Sequence, residues 1–154
     1  MRATFPAVLS MFLAGVALAA PKPKAEFGTA KEAEAMVAKA VAHAKKVGNE
    51  QAYQDFTNKV APFVDRALYV VVYDLNGKVW AHGQNPKMVG KDLIDLLDPD
   101  GKAFVSERVE LGKSKGKFWH DYRWTDPITK KALPKSAYCE RHENVLFCTG
   151  IYKR

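Results

Sequence analysis

GKFWHDYRWTDPITKKALPKSAY, residues Gly116–Tyr138, alternates aromatic and polar side chains and then turns back on itself. Phe118, His120, Tyr122 and Trp124 fall two residues apart, and a period of two places all four on one face of a strand. Asp126-Pro127-Ile128-Thr129 interrupts the run with turn-favouring chemistry, after which Lys135, Ser136 and Tyr138 open a second strand. The expected product is an antiparallel pair. A lysine ammonium among several rings would suit a small anion, because apolar walls exclude water and the ammonium supplies the compensating charge. The alternative from spacing alone is that the rings are sheet core and Lys135 is solvated.

Downstream, Cys139 and Cys148 flank RHENVLF, and a turn between Glu143 and Asn144 sets them opposite each other on a hairpin. A disulfide is the first reading. A zinc site from Cys139, His142 and Cys148 lacks a fourth ligand, and a Cys–His nucleophile lacks an oxyanion motif. Val145–Tyr152 then closes the sheet, with Gly150 allowing close approach of backbone or ligand.

Upstream, Leu68–Gly83 also has the period of strands. Asn76-Gly77 is a strong hairpin turn, and a two-residue connection sets Tyr73 opposite Trp80 and Val71 opposite His82. His82 either points toward the aromatic face or is a hydrogen-bonded histidine at a strand end. Asn85-Pro86 begins a loop holding Met88, Val89 and Gly90, with a short helical piece expected through Leu97. Asp98-Pro99-Asp100-Gly101 lacks the spaced ligands and closing Glu of a calcium loop, so it reads as a turn into a helix with Ala103, Phe104, Val105, Val109 and Leu111 on its apolar side.

The N-terminal half is helical. Thr29 can cap a helix with Glu32 three residues on, and Ala33, Val37, Ala40, Val41, Ala44 and Val47 recur at three- and four-residue steps before Gly48. A second helix starts near Asn49, buries Ala52, Tyr53, Phe56 and Val60, and ends before Pro62. Residues 1–19 read as a signal peptide, with Arg2, the apolar run Ala7–Leu18 and the small-x-small site Ala17-Leu18-Ala19, and residues 20–28 as a flexible leader. The apolar run falls short of the roughly 20 residues a spanning helix needs, and no later segment is apolar enough to cross a bilayer.

At 154 residues and 47% hydrophobic content the chain supports one domain, residues 29–154, with a real core. The charge of +7 is spread over scattered lysines, with no arginine-rich stripe, so no nucleic-acid partner is expected. No CxxCH attachment motif occurs, and neither cofactor, metal nor catalytic residues are expected.

The ordered set Met88-Val89-Gly90-Lys91-Asp92-Leu93, Asp100-Gly101, Gly116, Tyr122-x-Trp124, Pro127, Pro134-Lys135-x-x-Tyr138 and Thr149-Gly150-Ile151-Tyr152 resembles a single Cache domain of the second type, an extracytoplasmic sensor module of bacterial chemoreceptors and sensor kinases. The resemblance covers about Ala30 to Tyr152. It implies an α+β fold, a PAS-like antiparallel sheet with a long N-terminal helix on one face and a ligand cavity on the other. It also implies a small organic acid ligand such as acetate, propionate or pyruvate. Carried over by motif, Tyr122, Trp124, Lys135 and Tyr138 would form the pocket, with His82 and Phe104 beside it; the reading of the residues themselves adds Phe118 as a wall and Tyr73. His82-Gly83 stands where a His-Pro pair is frequent in the family.

The chain runs only to Arg154, just past the sheet, so the expectation is an exported stand-alone sensory or solute-binding component. It would present its ligand to a membrane receptor or sensor kinase and could pair through its first helix as a homodimer. A protein-interaction module without its own ligand is the alternative, and a haem or metal carrier using His82 or His120 is a further one.

Overall fold

The computed structural model describes residues 27–153, and the expected signal peptide and most of the leader lie outside them. Helix α1 (Ala30–Val47) starts where the capping chemistry puts it. Thr29 accepts from the Glu32 N–H, and the Glu32 carboxylate accepts from the Thr29 N–H at 2.9 Å. Its buried stripe is Ala33, Met36, Val37, Ala40 and Ala44, so Met36 joins the expected set while Val47 is exposed. Helix α2 (Asn49–Thr57) buries Ala52 and Phe56 but stops short of Val60, which is exposed. The left-handed turn at Lys59 (φ 59°) ends it.

The strands are β1 (Val64–Asp65), β2 (Leu68–Tyr69), β3 (Val71–Asp74), β4 (Val79–His82), β5 (Lys117–Thr125), β6 (Ala132–His142) and β7 (Val145–Tyr152). β1 and β2 make a small ribbon; the other five form one antiparallel sheet in the order β4-β3-β7-β6-β5. The long β5–β6 pair runs in unbroken register from Lys117 opposite Glu140 to Thr125 opposite Ala132. The Cys139–Cys148 disulfide joins directly opposed residues of β6 and β7, their Cα atoms 4.2 Å apart. With both sulfurs joined, neither is a thiolate for zinc or for nucleophilic attack.

Two expectations are corrected. In the β3–β4 hairpin Val71 does face His82, but a bulge sets Tyr73 opposite Val79, not Trp80. The reason is the turn: the Asp74 carboxylate accepts from the N–H groups of Asn76 and Lys78, which makes the connection longer than two residues. The helical piece expected through Leu97 is absent; only a 3-10 turn, Pro86–Met88, forms. The backbone of that loop is spent elsewhere. Leu93 N–H donates to the Gly77 carbonyl, Asp92 caps Ile94, and Leu93, Ile94 and Leu96 pack on the sheet.

The sheet has a helix layer on each side, and the layers differ in chemistry. Val70, Val72, Ala81 and Phe147 pack under α1 and α2 with Phe56 and Phe63 in an apolar core. The opposite face carries Tyr69, Val71, Tyr73, Ala137, Leu146 and both cysteines beneath α3 (Phe104–Ser114). Polar side chains are buried on that second side.

Candidate functional site

Strand parity assembles the site. On β5, Phe118, His120, Tyr122 and Trp124 share the α3 face, as the two-residue spacing predicts. Tyr122 lies opposite Lys135 on β6, and Lys135 lies opposite Tyr152 on β7. Residue 150 must be glycine for this to work. A Cβ there would come within 2.5 Å of Lys135 Cε, so its absence gives the lysine stem its path across the sheet.

Lys135 is 3% exposed. Its ammonium donates to Tyr69 Oη at 2.9 Å and lies over the rings of Tyr69 (4.2 Å), Tyr152 (4.7 Å) and Tyr122 (5.9 Å). A second cation joins it: Arg108 of α3 is 2% exposed, with Cζ at 4.6 Å from Tyr122, 5.3 Å from Phe104 and 5.5 Å from Tyr73. Its Nη1 donates to Tyr73 Oη at 3.2 Å and the Tyr122 hydroxyl also supports its charge, whereas Nε and Nη2 have no partner in good hydrogen-bonding geometry among the described residues. Neither cation forms an ion pair with a carboxylate among those residues; the charge of Asp126, which accepts from Thr129 and the Ile128 N–H, favours the Lys135 ammonium without touching it. Burial pushes the Lys135 ammonium below its ordinary pKa, and the charge on Arg108 pushes the same way against the stabilising Tyr69 hydroxyl. Burial drives Tyr73 up to about 12 and raises Tyr69 and Tyr122 as well, so these phenols stay neutral donors. Two buried cations, ringed by phenols and short of acceptors, have the chemistry that an anion could compensate.

The aromatic wall is continuous. Phe104 stacks on Tyr122 at 4.7 Å and meets Trp124 at 5.2 Å. His82 stacks on Tyr69 at 5.4 Å. Beside the cluster opens a cleft of about 320 Å³, lined by His82, Asn85, Met88, Trp124, Pro127 and Lys130 among others. It touches the ring cluster at both His82 and Trp124, whereas Arg108 and Lys135 do not line it. A larger hollow of about 690 Å³ lies apart, between α2 and β4, around Tyr53, Thr57, Trp80 and Val89.

Of the residues expected at the site, Tyr73, Phe104, Tyr122, Trp124 and Lys135 converge and His82 borders them. Phe118 has the right face but sits opposite Cys139, four residues along β5 from Tyr122 and thus about 13 Å away. Tyr138 is placed on the other side of the sheet, against Trp119 at 5.2 Å and the α1 layer, because it lies an odd number of residues from Lys135. Sequence reasoning missed Arg108, Tyr69 and Tyr152 and expected a single cation. Arg108 was detectable: it lies on the apolar stripe of α3, four residues from Phe104 and one from Val109, where a solvated arginine would not be.

His82 is held in one protonation state. Its Nδ1 accepts from the N–H groups of Asn85 (2.9 Å) and Gln84 (3.2 Å), which leaves the proton on Nε2. Burial and the Lys135 charge push its pKa down to about 4 from the ordinary 6.5. The unfolded chain therefore binds this proton near pH 6.5 and the folded one only near pH 4, so stability falls as pH drops through that window, by roughly 3 kcal/mol at full effect. In His82→Asn the Oδ1 takes the place of Nδ1, and the acid-side fall in urea-unfolding free energy should shrink. An unchanged slope between pH 6.5 and 4 would contradict the assignment.

Residues 24–152 match the family Single Cache domain 2. Among characterised proteins the chain is 33% identical over 76 residues to the methyl-accepting chemotaxis protein McpP of Pseudomonas putida, an alignment covering 49% of this chain and 14% of that one. The chain thus spans only a small part of that relative's length. Among solved structures, a methyl-accepting chemotaxis protein of Vibrio parahaemolyticus superposes with a TM-score of 0.68 at 24% identity, over 79% of this chain and 86% of that one. A structure described as the basis for carboxylic acid recognition by a Cache chemosensory domain superposes at 0.64 and 24% identity, over 80% and 88%. At that identity the two structures establish the PAS-like α+β fold. The family match over nearly the whole described chain establishes more: this protein belongs to the single Cache domain 2 family, whose members are sensory ligand-binding domains of extracytoplasmic type.

Proposed function

We propose that the chain is an exported sensory module that binds a small organic carboxylate between Arg108 and Lys135 and presents the liganded state to a membrane receptor or sensor kinase. The observation carrying this reading is the pair of buried cations, one with two unpaired N–H-bearing nitrogens, inside a ring of neutral phenols. The solved Cache domain described for carboxylic acid recognition has the same fold, which is consistent with this ligand class. Residues 1–19 act as the export signal in this reading, and no described helix is long and apolar enough to cross a membrane.

Magnitudes set the terms. A hydrogen bond to a charged group contributes about 1.5–3 kcal/mol, so one cation supports at best weak millimolar affinity. Micromolar binding needs about 8 kcal/mol, which calls on both cations and on burial of the acid's carbon chain against Phe104, Tyr122 and Trp124. Binding without turnover fits a site that has donors and walls but no paired nucleophile and base. The test is a thermal-shift screen with two- to four-carbon carboxylates followed by calorimetry. At least one acid should raise the unfolding temperature by several degrees; a folded protein indifferent to every acid would sink the reading.

A further inference from the structure

The hollow of about 690 Å³ between α2 and β4 is lined by neither buried cation and has a chemistry of its own. We infer that it is a second binding site, for a neutral pyranose sugar.

Its wall on β4 is an indole that the fold leaves open. Val79, Ala81 and His82 of that strand are buried, whereas Trp80 is 40% exposed. The ring is nonetheless fixed in place. Its Nε1–H donates to Asp74 Oδ2 at 3.2 Å, Lys78 Nζ lies 4.4 Å from its centroid without lining the hollow, and Tyr53 stands 6.3 Å away as a second wall. Pro86 and Val89 extend the apolar surface. A ring already held this way loses little freedom when a ligand covers it, and covering it removes apolar area from water.

Around the rings Asn49, Glu50, Gln54 and Asn58 are exposed, and their side chains hydrogen-bond to no other described residue. Three amides and a carboxylate thus offer planar donors and acceptors side by side. Charge narrows the ligand. Glu50 lines the hollow, and burial followed by the charge of Glu143 raises the Tyr53 phenol, so an anion meets a negative surface. A cation gains little at the indole, because the Lys78 ammonium is already drawn to that ring. The lining therefore suits a neutral molecule with one apolar face and a rim of hydroxyls. A pyranose with equatorial hydroxyls has both: its ring C–H bonds form a flat face for the indole, and its edge hydroxyls give and accept hydrogen bonds with the amides and Glu50. An adjoining hollow of about 390 Å³ shares Asn49, Glu50 and Gln54 and has room for a second sugar ring.

The test follows the Trp80 indole N–H in proton–nitrogen NMR spectra, because sugars raise the unfolding temperature of most proteins by exclusion from the surface and a thermal shift would not discriminate. The chain has three tryptophans, and Trp80→Phe identifies the signal by its loss. At least one of cellobiose, maltose and lactose should move that signal saturably while the Trp124 signal stays in place; sorbitol, a polyol without a ring, should not move it. Read by saturation transfer to the sugar, Trp80→Ala should weaken binding about tenfold or more, and the Glu50→Ala/Gln54→Ala double variant at least about fivefold. A Trp80 signal indifferent to all three disaccharides, or moved equally by sorbitol, would overturn the inference. So would undiminished sugar binding in either folded variant. Propionate should leave the Trp80 signal where it is, so the carboxylate reading and this one stand or fall separately.

Discussion

Arg108→Met should abolish acid-dependent stabilisation while leaving the acid-free domain at least as stable as before. Arg108 is 2% exposed and two of its nitrogens lack a hydrogen-bond partner among the described residues, so one bond to Tyr73 and the ring contacts offset only part of the cost of dehydrating the charge. Methionine is unbranched, close to arginine's stem in length, and compatible with Phe104 and Tyr122 around it. Replacing a poorly compensated buried charge in this way is commonly neutral or stabilising by about 1 kcal/mol or more, a rise of a few degrees in unfolding temperature. Losing two charge-assisted bonds to the ligand costs about 3 kcal/mol, which weakens binding more than about 100-fold. The two signs separate function from scaffolding. If the variant unfolds at lower temperature and still responds to acids, Arg108 is a structural residue.

Phe56→Ala should have the opposite profile. Phe56 is fully buried on α2, edge-on to Phe63 at 4.7 Å and near Phe147 at 6.2 Å, in the apolar layer remote from both cations. Truncating a buried phenylalanine in such a core costs about 3–5 kcal/mol. That is a large share of the roughly 5–15 kcal/mol available to a domain, and the unfolding temperature should fall by on the order of 10 °C. Urea unfolding gives the free energy directly. The molecules that remain folded should bind acids with unchanged affinity, since nothing on the α3 face has altered. A loss under about 1 kcal/mol would mean that the α1–α2 layer does not carry the core.

The contrast between these two variants reflects a division of labour across one sheet. Residues at one parity of β3 and β7, such as Val72 and Phe147, meet helices of Ala, Val and Met and make a dry core. Residues at the other parity meet α3 and the 83–103 loop, and there tyrosines replace aliphatic side chains. A tyrosine supplies apolar area and a hydroxyl together, which is what a cation buried beside a sheet requires.

Much of this was legible before any fold was known. The capping box of α1, the β5–β6 pair, the hairpin between His142 and Val145 and the opposition of Cys139 to Cys148 all come from interactions between near neighbours. Turn chemistry, helical period and strand alternation act over a few residues, so the sequence displays them. Tyr138 belongs to this class too: its parity with respect to Lys135 excludes it from the α3 face, whatever motif it resembles. The misread hairpin register and the missing helical turn mark the limit, because Asp74 and Asp92 spent their carboxylates on backbone N–H groups in ways that composition alone does not rank.

By itself, then, the sequence determined which side chains share a face and where the chain turns. Only the tertiary structure brought Tyr69, Arg108, Lys135 and Tyr152 together from four separate elements and revealed that a second cation lies near the same Tyr122 ring as the first. The physical reason is range. Periodicity is fixed by bonds between adjacent residues, whereas the meeting of α3 with the far side of the sheet depends on strand order and helix docking, which no local pattern records.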